Sequence, residues 1–167
     1  PRLETSKDAQ TVLNHMIKTM PESLELQVII APIKSVDPSL FPDAMDVTEM
    51  FTKADDSILC KALSHYAFMM KTSSRSVLNS IFDISAEILC KIQQNENNRM
   101  SLSKIYQNAL HYITQCPNAT KFIRVLCKSE PAAATLGVID MYEWDRSVED
   151  VIRGIKTVLK NDDSPIV

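Results

Sequence analysis

The sequence predicts an all-α protein. Over most of its 167 residues, apolar side chains return at every third or fourth position, which is the spacing of an amphipathic helix. Only two glycines occur, whereas phosphate-binding loops and two-residue β-hairpin turns depend on glycine. A composition with 45% hydrophobic and 23% charged residues is that of a folded domain rather than a disordered chain. We therefore expect a helical fold and disfavour P-loop, Rossmann and β-rich architectures.

The N-terminal part is predicted to form two helices. Apolar residues share one helical face over 6–20, and Thr5 with Asp8 three residues later has the pattern of a capping box. Pro21 ends this first helix. The run 24–33 alternates like a strand, but a proline followed by acidic residues is typical of a helix start, so we favour a second helix there.

An acidic, proline-containing stretch over 32–54 is the predicted linker. Its three prolines are expected to break any regular element. The part 36–51 has no lysine or arginine, and its acidic residues are interleaved with bulky apolar ones, as in segments that dock on a partner by burying anchor side chains. The candidate anchors of this docking segment are Leu40, Phe41, Met50 and Phe51. The alternative is an ordered loop that the same side chains hold against the chain's own core.

Further helices follow the linker. They are predicted at 56–71, 75–93, 100–116, 118–128, 132–144 and 147–160. Their starts carry helix-entry residues, which are Asp56, Ser57, Ser74, Asn98, Asn118, Pro131 and Ser147. The helix at 75–93 is apolar over a wide arc and is expected to be central and nearly buried, whereas 147–160 has one clean apolar face. The predicted organisation is an N-terminal helical segment 1–31, the linker 32–54, a helical core domain 55–161 and a tail 162–167.

The C-terminal helices resemble a known repeat. Residues 118–160 read as two short helices followed by a long one, and this block resembles an armadillo or HEAT repeat, whose period is about 40 to 47 residues. The stretch 75–116 resembles a similar unit that lacks its first short helix. The resemblance implies a fragment of a helical solenoid, and the alternative is a closed multi-helix bundle.

The residues that serve in metal sites and nucleophilic catalysis form no recognisable motif. Cys60 with His65, and His111 with Cys116, are each five residues apart, so a helix turns the two members about 140° away from each other. No nucleophile signature occurs. We therefore expect no catalytic residues, no metal site, no cofactor and no enzymatic activity. The four cysteines show no paired spacing, so reduced and mostly buried thiols are expected.

Basic residues of the C-terminal half are candidates for partner binding. The chain carries 18 basic and 21 acidic residues, net −3, of which residues 1–60 hold 5 basic and 10 acidic. Two triplets with the spacing i, i+3, i+7 each lie along one helical face. They are Lys121, Arg124 and Lys128, and Arg153, Lys156 and Lys160. Side by side, these two stripes would form a basic patch for an acidic segment. The alternative is an ordinary solvated face.

The resulting functional hypothesis is a non-catalytic, intracellular scaffold domain for protein–protein interaction. It captures a partner helix or an acidic peptide in a groove between packed helices. A helical domain that binds nucleic acid through the basic stripes and a homodimerisation module are the alternatives. The sequence contains no apolar run long enough to span a bilayer, and we expect a cytoplasmic or nuclear location without membrane contact. The first residue is Pro1 rather than methionine, which suggests a piece of a longer protein.

Overall fold

All regular secondary structure in the described part of the chain is helical. The computed structural model describes residues 6–92, 96–143 and 152, and these ranges contain eight α-helices. Short 3-10 turns lie at Pro38–Leu40, Met70–Thr72 and Glu96–Asn98. The all-α class predicted from the sequence is confirmed, and both a helical repeat and a multi-helix bundle are compatible with it. The chain divides into two compact units, Pro1–Ile81 (unit 1) and Phe82–Val167 (unit 2).

Unit 1 contains four helices and the start of a fifth. They are α1 (Lys7–Thr19), α2 (Leu24–Val36), α3 (Val47–Lys53), α4 (Asp56–Met69) and the first part of α5 (Arg75–Lys91). Before each helix, a side-chain oxygen accepts the backbone N–H three residues further on, which satisfies one of the N–H groups that a first helical turn leaves open. These oxygens belong to Ser6, Ser23, Asp46, Asp55 and Ser74. Ser6 therefore caps α1, and the predicted cap, Thr5, is wrong by one residue.

A proline lies inside α2, and a side chain of α4 compensates for it. Pro32 has no N–H group, so the carbonyl of Val28, four residues earlier, lacks its helical donor. The Tyr66 hydroxyl donates a hydrogen bond of 2.6 Å to this carbonyl, and Tyr66 is fully buried. The sequence predicted that Pro32 would break regular structure. That prediction is wrong, because a tertiary hydrogen bond replaces the one that the proline removes.

The stretch 32–54, predicted as a linker, is part of the core of unit 1. It holds the end of α2, a 3-10 turn and the whole of α3. Lys34 Nζ donates to the carbonyl of Phe41 at 2.7 Å, and the N–H of Met45 donates to Gln27 Oε1 at 2.8 Å. These bonds hold the stretch against α2. The division between the two units lies instead within α5.

Unit 2 contains the rest of α5 and three further helices. They are α6 (Arg99–His111), α7 (Pro117–Ser129) and α8 (Pro131–Glu143), and α6 packs along both α7 and α8. A Cβ atom at Gly137 of α8 would lie 2.9 Å from Cδ2 of Tyr106 and 3.3 Å from the carbonyl oxygen of Ser103. Glycine therefore permits α8 to approach α6 this closely. The rings of Phe82 and Phe122 join α5 to α7, with centroids 6.2 Å apart.

The wide apolar arc predicted for α5 is buried, whereas Arg75, Ser76, Glu87, Cys90 and Lys91 of the same helix are exposed, and its central position stays a prediction. Its buried apolar residues are Val77, Leu78, Ile81, Phe82, Ile84, Ala86, Ile88 and Leu89. The helices predicted at 56–71, 118–128 and 132–144 correspond to α4, α7 and α8, with ends that differ by one or two residues. The helix predicted at 147–160 and the tail 162–167 lie outside the described residues.

No helix in the described ranges combines the length and the apolar character that crossing a lipid bilayer requires.

Candidate functional site

One residue of the basic stripe on α7, Lys121, forms ion pairs within unit 2. Lys121 Nζ lies 2.6 Å from Oδ1 of Asp83 and 3.5 Å from Oε1 of Glu87, both on α5. The hydrogen bond to Asp83 raises the pKa of Lys121 above its ordinary value. Arg124 is half-buried, and Lys128 is exposed. The stripe therefore presents three cations of unequal accessibility, one of which pairs with α5.

The second predicted stripe, Arg153, Lys156 and Lys160, lies outside the described residues. The joint basic patch of the two stripes therefore stays a prediction.

The predicted docking segment contributes to its own core. Phe41 and Met50 are completely buried in unit 1, and Leu40 and Phe51 are half-buried. The carbonyl of Leu40 also accepts a 2.9 Å hydrogen bond from Nδ2 of Asn14 on α1. This is the arrangement of the alternative considered from the sequence, an ordered loop that its own anchors hold in place. Two of the four anchors would have to leave the core before a partner contacted them.

The outer side of α4 exposes a large aromatic residue. Leu59, Leu63, Tyr66 and Met70 lie on one side of this helical region and are buried. Phe68 follows Leu59 by nine residues, which places it about 180° away around the helix. It is 86% exposed, the largest value among the exposed large apolar residues of the described chain. An aromatic side chain therefore projects into solvent from a helix whose other side is fully packed.

The neighbours of Phe68 on this surface are small or basic. Ser57, Lys61 and Ser64 precede it at helical spacings and are exposed, and Lys71 follows in the next turn and is also exposed. We call these five residues the α4 outer face. None of the five positions carries a carboxylate. The surface combines an aromatic contact with two positive charges, which suits a ligand that presents an apolar group beside anions.

His65 lies at the edge of the α4 outer face and contacts α2. Its Nε2 lies 3.2 Å from Oε1 of Glu25, and both side chains are partly exposed. This contact joins α4 to α2 within unit 1 and leaves the positions around Phe68 open.

The apolar face of α1 is only partly covered. Ile17 is its one buried residue. Val12 is 57% exposed, Met20 is 38% exposed, and Met16 between them is half-buried. The helix predicted over 6–20 is confirmed, but its apolar face extends beyond the surface that unit 1 packs against it. We call Val12, Met16 and Met20 the α1 stripe.

The cysteines are all free thiols of differing exposure. Cys116 is buried, Cys60 and Cys127 are half-buried, and Cys90 is exposed, which differs from the predicted mostly buried set. Burial raises the pKa of the Cys127 thiol, which favours the unreactive protonated form. In the ranges that the structure describes, no three His, Cys, Asp or Glu side chains come together in a group suited to a metal ion.

Comparison with known proteins gives no match to a family model, to a curated protein or to a solved structure.

Phe68 is the residue that the sequence-based search for a site missed. The signal that identifies it is the helical phase of α4. Leu59, Leu63 and Tyr66 define an apolar side by their spacing of four and three, and Phe68 falls opposite to it. The predicted binding residues were charged triplets instead.

Proposed function

We propose that the chain is a non-catalytic protein-interaction domain that binds a helical or extended segment of a partner protein along the α4 outer face. The observation that carries the proposal is the 86% exposure of Phe68 opposite the buried side of α4. Single exposed apolar residues are common on protein surfaces. A nearly fully exposed phenylalanine can serve as an anchor, because burying such a ring in a complex stabilises the complex by about 1.5–3 kcal/mol.

The small neighbours of Phe68 support a binding role. Ser57 and Ser64 lie on the same side of the helix and have short side chains, so a partner that approaches the ring from the N-terminal end of α4 meets only one long side chain, that of Lys61. Aromatic anchors surrounded by weakly contributing contacts are typical of binding hot spots. We assign Phe68 the role of such an anchor.

The binding surface proposed here differs from the one that the sequence predicted, whereas the class of function, protein–protein interaction, is the same. The sequence-based hypothesis placed partner binding on Lys121, Arg124 and Lys128 together with the second stripe. Lys121 already has two carboxylates of α5 beside it, and a partner would have to compete with both. The α4 outer face carries no such internal competitor at Lys61 or Lys71 among the contacts described.

The non-catalytic part of the proposal is supported by the chemistry of the buried groups. Burial raises the pKa values of Tyr66, Tyr106 and Cys127, and each of these groups is therefore held in its neutral, weakly nucleophilic form. Free thiols also suit a reducing compartment, and we place the protein in the cytoplasm or the nucleus as part of this proposal.

The test is a peptide-display selection against the immobilised chain. Peptides enriched on the wild type are measured by fluorescence anisotropy against Phe68→Ala and against Met100→Ala. Met100 is 63% exposed in unit 2 and serves as the matched control. We expect the Phe68 variant to weaken binding by about tenfold or more, and the Met100 variant to leave it unchanged. Peptides that bind Phe68→Ala as tightly as the wild type overturn the proposal.

A further inference from the structure

We infer that the partner segment on the α4 outer face is acidic and carries one large apolar side chain beside its carboxylates. This inference rests on the proposed function and names the chemistry of the partner. It is carried by the placement of two exposed lysines, Lys61 and Lys71, on either side of the exposed Phe68.

The spacing of the two lysines matches a short acidic segment. Lys61 lies seven residues before Phe68, about 10 Å along the helix axis, and Lys71 lies three residues after it, in the 3-10 turn that follows α4. Each lysine side chain adds a reach of several ångströms. The two lysines therefore lie on either side of Phe68 along the chain, and a partner with an apolar anchor, one carboxylate about two turns away on one side and a second carboxylate about one turn away on the other faces all three residues at once.

The charge of the surrounding chain argues against a long polyanion. Residues 1–60, which make up most of unit 1, carry 5 basic and 10 acidic side chains. A nucleic acid that extends beyond the α4 outer face would meet this acidic surface and be repelled. A peptide of a few turns is confined to the two lysines and the ring.

The same local charge argues against a second copy of this face. The α4 outer face carries only positive charges at its ionisable positions, so pairing it with itself across a two-fold axis brings lysines together. A single helix of 14 residues also offers less contact area than the roughly 1,200 Å² of total burial in a stable interface. We therefore assign the face to a partner segment of opposite charge.

The experiment compares matched probe peptides on matched variants. The acidic probe is a short fluorescein-labelled peptide with one leucine flanked by glutamates, and its twin has glutamine in place of every glutamate. Each is titrated by anisotropy into the wild type, Phe68→Ala, Lys61→Glu, Lys71→Glu and Lys104→Glu. Lys104 is an exposed lysine of α6 in unit 2, so its reversal changes net charge equally without touching the face.

The expected result is a charge-dependent preference. The acidic probe binds the wild type more tightly than its twin, each reversal at Lys61 or Lys71 weakens it by about three- to tenfold, and Lys104→Glu has no effect. The preference should shrink between about 50 and about 300 mM salt.

Other outcomes separate this inference from the proposed function. If both peptides bind equally and both lose affinity in Phe68→Ala, the inference fails and the proposed function stands. If neither peptide binds in low salt, the inference fails, and the display-selected peptides decide the proposed function separately. If a labelled homothymidine strand binds more tightly than the acidic peptide and is released by Lys61→Glu, the occupant is a nucleic acid and the inference is overturned.

Discussion

The hydroxyl of Tyr66 on α4 donates to the carbonyl of Val28 on α2 at 2.6 Å, at the position where Pro32 removes the helical donor. The carbonyl, the proline and the tyrosine ring are all in the interior of unit 1. A buried carbonyl without a donor costs about 1–3 kcal/mol. The continuity of α2 through its proline therefore depends on the packing of α4 against α2. The same helix, α4, presents Phe68 on its opposite side.

This feature predicts a thermodynamic coupling between positions 66 and 32. Tyr66→Phe should lower the free energy of unfolding by about 1–2 kcal/mol, because it leaves the Val28 carbonyl without a donor. In a Pro32→Ala background the restored backbone N–H supplies that donor, so the same tyrosine change should cost less. Urea unfolding of the four proteins measures the coupling, which should be at least about 0.5 kcal/mol. Strictly additive effects would contradict the compensation.

Buried tyrosines predict that stability falls at alkaline pH. Burial raises the pKa of Tyr66 above the ordinary value of 10.0, and burial with the neighbouring Cys127 does the same for Tyr106. Above pH 10 the unfolded chain releases these protons while the folded chain keeps them. The stabilisation is therefore complete below pH 10 and is lost as pH rises, at about 1.4 kcal/mol per pH unit for each tyrosine.

The variant Tyr66→Phe isolates one of these two contributions. Its unfolding free energy should start lower at neutral pH and then fall less steeply between about pH 10 and about pH 11 than that of the wild type. Lys121, whose pKa is also raised, adds a loss of the same sign in both proteins and cancels in the comparison. Equal slopes in the two proteins would mean that the Tyr66 hydroxyl ionises in the folded state.

The close approach of α8 to α6 predicts that Gly137→Ala is destabilising. Helix propensity alone favours alanine over glycine by about 1 kcal/mol. The new Cβ would lie 2.9 Å from the Tyr106 ring and 3.3 Å from a backbone oxygen of Ser103, and overpacking of this kind costs about 1–3 kcal/mol. We expect a net loss in thermal stability. Thr135→Ala on the exposed side of α8 is the control, and an increase in stability for Gly137→Ala as large as its propensity gain would refute the tight contact.

The ion pairs of Lys121 predict a charge-reversal effect within α7. Lys121→Glu places a carboxylate beside Asp83 and Glu87 and should lower stability by about 0.5–1 kcal/mol, a small value because all three side chains are more than one-third exposed. Lys128→Glu, at an exposed position in the last turn of the same helix, loses only a favourable interaction with the helix dipole and should cost less. Denaturation at low and moderate salt measures both, and the difference should narrow with added salt. Equal losses of stability at the two positions would show that the ion pairs of Lys121 do not stabilise the fold.

Local sequence patterns were sufficient for most of the helices and for the wide buried arc of α5. The sequence also contains two signals that the predictions did not use, one at the start of α3 and one in the helical phase of α4. Asp46 with Glu49 three residues later marks the start of α3, where the Asp46 side chain accepts the Glu49 N–H at 2.8 Å. The nearby prolines and acidic residues made the whole stretch resemble a linker. The helical phase of α4 likewise identifies Phe68 without any structure.

Tertiary contacts decide the features that the sequence did not predict. Pro32 removes the helical donor of the Val28 carbonyl, and the donor that replaces it comes from Tyr66, which is 34 residues from Pro32 in the chain. The spacing of Lys121 in α7 does not reveal that Asp83 and Glu87 of α5 lie beside it. Partner binding by a charged stripe depends on such neighbours, because a cation that is already paired contributes less to recognition.

The most direct test of the α4 outer face is chemical-shift mapping of a bound peptide on the isotope-labelled chain. A peptide enriched on the wild type should perturb the backbone amides of α4 around Ser64 and Phe68, and should leave the amides of the α1 stripe and of α7 at their free positions. Perturbations centred on Val12, Met16 and Met20, or on Lys128, with α4 unchanged, would contradict the account and place the binding surface elsewhere.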